Sequence, residues 1–175
     1  SQGDVASVAT RLGKGDNVEQ ANGNGRTALS LAAEKGHAAV VELLLGRGKA
    51  NPNTKDALAG FTPLCLAAMS NHASVVRVLL KDSQTDVNLS TAGGSTPLMH
   101  AALEGHAEMA RLLVLGHANP DLQNSHGSTA LILAARGGNI DLVTILLEQA
   151  NANIHLTNSG GDTALNRDCT PTNCP

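Results

Sequence analysis

Gly94-Ser95-Thr96-Pro97-Leu98-Met99-His100-Ala101-Ala102-Leu103-Glu104-Gly105-His106 is the stretch whose reading decides the architecture. Glycine is the residue most easily placed where a tight turn needs positive φ, which suits Gly94. Thr96 then caps a helix start, and Pro97 falls at the first helical position, where its missing N–H costs nothing. The pattern predicts a short helix over Leu98–Leu103, a stop at Gly105 and a second helix over Glu108–Val114. The opening phrase recurs as Gly25-Arg26-Thr27-Ala28-Leu29, Gly60-Phe61-Thr62-Pro63-Leu64, Gly127-Ser128-Thr129-Ala130-Leu131 and Gly161-Asp162-Thr163-Ala164-Leu165. Successive threonines are 35, 34, 33 and 34 residues apart. A period in that range marks a stacked array of small supersecondary units.

Other features recur in register. Ala101-Ala102 has counterparts in Ala32-Ala33, Ala67-Ala68 and Ala134-Ala135, small residues that let neighbouring helices approach closely. The pairs Leu43-Leu44, Leu79-Leu80, Leu112-Leu113 and Leu146-Leu147 supply apolar bulk that only an adjacent unit can bury. Between units lie Asn51–Asp56, Asp86–Ser90 and Asn119–Asn124, too rich in Asn, Asp and Pro to be helical. They are expected to form projecting, hairpin-like loops, one per repeat.

Together these residues resemble the ankyrin repeat family, whose pattern runs Gly-x-Thr-Pro-Leu-His, two alanines, Gly-His and a closing Ala-Asp-Val-Asn. Gly-His stands at Gly36-His37 and Gly105-His106, with variants at Asn71-His72 and Gly138-Asn139, and the closing motif survives best as Asp86-Val87-Asn88. The resemblance covers essentially the whole chain. It implies an all-α solenoid of stacked helix-turn-helix units forming a single domain. The units are a partial repeat at 1–21, repeats at 22–55, 56–89, 90–122 and 123–156, and a partial repeat with tail at 157–175. The family histidine after the leucine is replaced by Ser30, Cys65, Met99 and Ile132, so its hydrogen bonds must be absent or remade. Extra residues before Asn53, Asn88 and His155 are expected to lengthen helix ends or turns. Both ends fall within a repeat, which suggests a fragment of a longer protein or an array with unorthodox caps.

Composition narrows the function. The 175 residues are 42% apolar with one Phe and no Trp or Tyr, so the core is aliphatic. A net charge of −3 argues against a polyanion as the main partner, and there is no basic stripe with interleaved aromatics for nucleic acid. No apolar run approaches the roughly 20 residues a membrane helix needs. Three cysteines without a framework spacing point to a reducing, intracellular setting, cytoplasmic or nuclear. Cys169 and Cys174 could close a small loop, although free thiols in a tail are the plainer reading.

No constellation for catalysis or a cofactor emerges. His37, His72 and His106 share one slot between helices, which favours a structural role, and no two histidines sit at i, i+4 on one helix as a metal site would require. Gly13-Lys14 and Gly48-Lys49 lack both the upstream Gly and the following Ser or Thr of a phosphate loop. Cys65 lies at a repeated helical position and reads as a buried small hydrophobe. The chain is expected not to be an enzyme, to need no cofactor and to be a monomer.

The resemblance implies partner binding in the concave groove formed by loop tips and first helices. Carried over position by position, the candidate partner-binding residues are Arg26, Leu58, Phe61, Leu66, Met69, Ser95, His100, Leu103, Ser128 and Arg136. Leu58, Phe61, Leu66, Met69 and Leu103 make the stripe apolar around the second and third repeats, and Phe61 stands where the fold does not require an apolar residue. Leu66 has the competing reading of packing sideways onto its neighbours. The implied partner is a protein offering a mostly apolar, extended or helical segment. A scaffold or adaptor is the leading reading; a regulatory or targeting region of a larger enzyme, channel or ubiquitin-ligase subunit is the alternative. Ankyrin repeats resembling Leu-x5-Asp-Val-Asn are targets of asparaginyl hydroxylation, which places Asn88 as a candidate, against the plainer role of bracing its loop.

Overall fold

The computed structural model describes residues 2–165, and within them the chain forms helices in register with the repeated phrase. Helix α1 spans Gln2–Gly13. Four helix pairs follow: α2 Ala28–Glu34 with α3 Ala38–Gly46, α4 Pro63–Met69 with α5 Ala73–Lys81, α6 Pro97–Leu103 with α7 Ala107–Leu115, and α8 Ala130–Arg136 with α9 Ile140–Glu148. No strand occurs among the described residues. First helices stack in the order α2, α4, α6, α8, and second helices in the order α1, α3, α5, α7, α9.

Each first helix starts for the same reason. Thr27, Thr62, Thr96 and Thr129 hold extended backbone and accept hydrogen bonds from the N–H of Ser30, Cys65, Met99 and Ile132 at 3.2–3.3 Å. Such a cap satisfies one of the N–H groups that a helix start leaves without an internal partner. Pro63 and Pro97 occupy the first helical position of α4 and α6. Three residues then turn the chain into the second helix. Their middle member is Gly36, Gly105 or Gly138 at φ of 68–76°, or Asn71 at 56°, where only Gly and a few polar residues sit without strain.

The first helices are 7 residues long and α3, α5, α7 and α9 are each 9, so the uneven spacing of the phrase lies wholly between units. The connections Arg47–Thr62, Asp82–Thr96 and Gly116–Thr129 contain 16, 15 and 14 residues. Turns are lengthened; helix ends are not. The core is continuous along the stack. Both alanines of the pair are buried in α2, α4 and α6, where a larger side chain would hold the first helices apart, and Leu44, Leu79, Leu113 and Leu146 are fully buried between second helices.

Candidate functional site

The connections build two ladders that hold the loops at a fixed pitch. In the first, each loop tip closes as a hairpin: Asn22, Asp56, Thr91, Asn124 and Asn158 donate their backbone N–H to the carbonyls of Arg26, Phe61, Ser95, Ser128 and Asp162 at 2.9–3.1 Å. Their side-chain oxygens accept N–H groups from the tip, Asp56 Oδ1 taking those of Ala59 and Phe61, both at 3.1 Å. Adjacent hairpins are joined by Ala57 N to Asn24 O, Ala92 N to Ala59 O, Ser125 N to Gly93 O and Ser159 N to His126 O at 2.8–3.0 Å. Gly25, Gly60, Gly94, Gly127 and Gly161 take φ between 69° and 83°, which a β-carbon would strain. The expected hairpin form is therefore present, although a single backbone pair per tip is too short to count as a strand.

The second ladder runs at the base of the loops. Glu19, Asn53, Asn88 and Asp121 each accept, through a side-chain oxygen, the N–H of Asn51, Asp86, Asn119 and Asn153 in the next unit at 2.7–2.9 Å. Within each unit, Asn51, Asp86, Asn119 and Asn153 accept from the N–H two residues on. Asn88 thus has a bracing role, its Oδ1 committed to Asn119 at 2.8 Å. Elsewhere, the shared histidine slot joins units on the other side. The His72 ring Nε2 lies 3.0 Å from Glu34 O and His106 Nε2 lies 3.3 Å from Met69 O, each reaching the last residue of the preceding first helix. The replaced family histidine is partly remade: Ser30 Oγ meets Thr27 Oγ1 at 3.1 Å, and Cys65 Sγ donates to Leu89 O at 3.7 Å. Burial pushes the Cys65 thiol up, as expected of an inert core residue.

Hairpins and first helices together form one side of the array, and the candidate residues divide on it. Leu66 (4% exposed) and Ser128 (3% exposed) are buried and offer a partner no surface. Leu66 therefore takes the packing role, as does Leu133. Leu58 and Leu103 are 64% and 53% exposed, Arg136 is exposed, and Phe61, Met69, Ser95 and His100 are half-buried. Phe61 packs on the His100 ring of the following repeat, ring centres 5.5 Å apart and planes tilted by 50°. Arg26 is engaged differently. Its guanidinium spans Glu34 Oε1 at 2.9 Å and Asp56 Oδ2 at 3.2 Å, tying the first hairpin to the base of the second. The pairing with Glu34 holds Arg26 above its ordinary value. Burial alone would raise Asp56, but the Ala59 and Phe61 N–H groups and Arg26 win, and its carboxyl sits below the usual range.

Sequence reasoning missed two features of this side. The Arg26–Asp56 link joins residues 30 apart, and no local pattern shows it. A hollow of about 410 Å³ opens beside α2, lined by Val8, Leu12, Val18, Arg26, Ala28 and Leu31 among others. No first helix precedes α2 among the described residues, and Leu31, which lines this hollow, is 39% exposed while its equivalents Leu66 and Leu133 are buried. Among the described residues, no group of three or more His, Cys, Asp or Glu could hold a metal ion, and no helix is long and apolar enough to cross a membrane.

A family model of ankyrin repeats matches residues 1–91, 44–123 and 98–167. The chain belongs to the ankyrin repeat family. No curated protein matches it. Arrays of this family are in general protein–protein interaction modules and are typically non-catalytic.

Proposed function

We propose that this ankyrin array is a scaffold or adaptor whose protein partner lays a mostly apolar, extended or helical segment across the hairpins and first helices of its second and third full repeats. The observation that carries this reading is the half-buried Phe61–His100 stack together with two exposed leucines, Leu58 in the Phe61 hairpin and Leu103 one turn beyond His100 on α6. Isolated exposed leucines need no explanation, but here they add apolar area to Phe61 and Met69, the aromatic and Met side chains that interfaces favour. Charges around the patch are of both signs, Lys35 and Arg136 against Glu104, and would select a partner rather than attract one class of charge. A reducing, intracellular setting belongs to the same proposal and rests on three cysteines without a framework spacing.

Partners retained by the wild-type array in affinity purification with mass spectrometry provide the test. For a partner so found, Phe61→Ala should weaken binding by about 30-fold, the loss of one well-packed anchor worth ~2 kcal/mol. Far-UV circular dichroism should stay helical, because Phe61 lies in a hairpin and caps no helix. Equal affinity for wild type and variant would remove the assignment.

A further inference from the structure

We infer that His100 makes the centre of the stack acid-sensitive, its protonation loosening the joint between the second and third full repeats and with it the seat of Phe61. The first helices carry Leu31, Leu66, His100 and Leu133 at one repeated position. Leu66 and Leu133 are buried there, so the third repeat places an ionisable ring in a slot the fold fills with leucine. The ring lies against Phe61, and its Nε2 is buried without a hydrogen-bond partner. A neutral imidazole tolerates that setting as a flat, largely apolar group. An imidazolium does not, because both ring nitrogens become donors and the charge must be hydrated.

The surrounding elements offer little to accept a hydrogen bond from the imidazolium or to balance its charge. On α4 the one titratable group is Cys65, whose buried thiol points to Leu89 O. On α8 it is Arg136, exposed and of the wrong sign. On α7 they are Arg111, exposed, and Glu108, paired with Arg77 at 2.7 Å. At the base of the Phe61 hairpin, the Asp56 carboxylate is taken by Arg26 and two N–H groups, and Lys55 is held on Ser90 O. Glu104, the residue that closes the C-terminus of α6, opposes the shift from an exposed position. Burial prevails and holds the ring below its ordinary value of 6.5. The unfolded or opened chain then binds the proton more readily than the folded one. Stability from this joint is complete above the ordinary histidine value and is lost as pH falls below it.

The consequence for a partner rests on the groove proposed above; the joint itself does not. Amide hydrogen exchange of the free chain between pH 7.5 and pH 5 tests it, with rates corrected for intrinsic pH dependence. Protection of the Phe61 and His100 amides should fall several-fold toward pH 5, and His100→Leu, which restores the leucine of the other repeats, should abolish the fall. His100→Gln, polar but not ionisable, should abolish it too. Ring NMR of wild type should place the His100 titration below that of an unstructured histidine. An ordinary or raised midpoint, or an unchanged fall in protection in both variants, would overturn the inference.

Discussion

The joint between the first and second full repeats and the joint between the second and third share one backbone and differ in chemistry. In each, the residue between Gly and Thr of one hairpin reaches toward the following repeat. Arg26 finds the buried Asp56 carboxylate; Phe61 finds the His100 ring. The first joint is ionic and depends on a carboxylate staying charged. The second is apolar and depends on an imidazole staying neutral. Both weaken in acid, in separate windows: the His100 joint below its ordinary value of 6.5, and the Asp56 joint only as pH falls below the ordinary carboxylate value of 3.8 and through the lowered one. The same scaffold position therefore carries a tie that yields near the carboxylate range or one that yields near the histidine range, according to a single side chain.

The largest effect should come from breaking the ionic joint. Asp56→Ala leaves the Ala59 and Phe61 N–H groups without their acceptor and Arg26 with Glu34 as its one remaining carboxylate partner. Buried donors that lose their acceptor cost about 2 kcal/mol, so the urea midpoint should drop accordingly. Asp56→Asn, which can still accept, should lose less. If the two variants lost equally, the charge rather than the acceptor geometry would be what holds the hairpin. A smaller effect, in the opposite direction, is expected where the histidine slot is incomplete. His72 and His106 reach Glu34 O and Met69 O, but Asn139 occupies the fourth copy, and a notch lined by Gly105, Gly138 and Ile140 lies beside it. Asn139→His should bond Leu103 O, the equivalent carbonyl, and stabilise the chain by about 1 kcal/mol. A lowered urea midpoint would show that the slot cannot accept the ring.

Much of this was legible before any coordinates. The threonine caps, the glycines at positive φ, the alanine pairs and the hairpin-like tips all follow from residues whose roles are local, so their repetition announced the helices and their order. The candidate surface was less legible because exposure depends on neighbours. Leu31, Leu66 and Leu133 hold one repeat position, each just before an alanine pair, yet Leu31 is exposed beside a hollow at α2 and the other two are buried. Ser128 and Ser95 share a slot with Phe61, yet Ser128 is buried while Ser95 is half-buried, a difference the serine itself does not announce. Asp56 read as one more polar loop residue, and its tie to Arg26 became visible only once the stack placed the two hairpins side by side. Cys169 and Cys174 lie outside the described residues, so their pairing has no structural reading.

The central proposal is that a protein partner docks on the hairpin and first-helix side rather than on the second helices. Quantitative pull-down with one charge placed on each side tests it most directly. Leu103→Glu alters an exposed leucine at the end of α6, and Ile140→Glu alters a side chain 79% exposed at the start of α9, so neither should disturb the core. Partners should be lost from Leu103→Glu and retained by Ile140→Glu; retention by the first with loss from the second would contradict the claim.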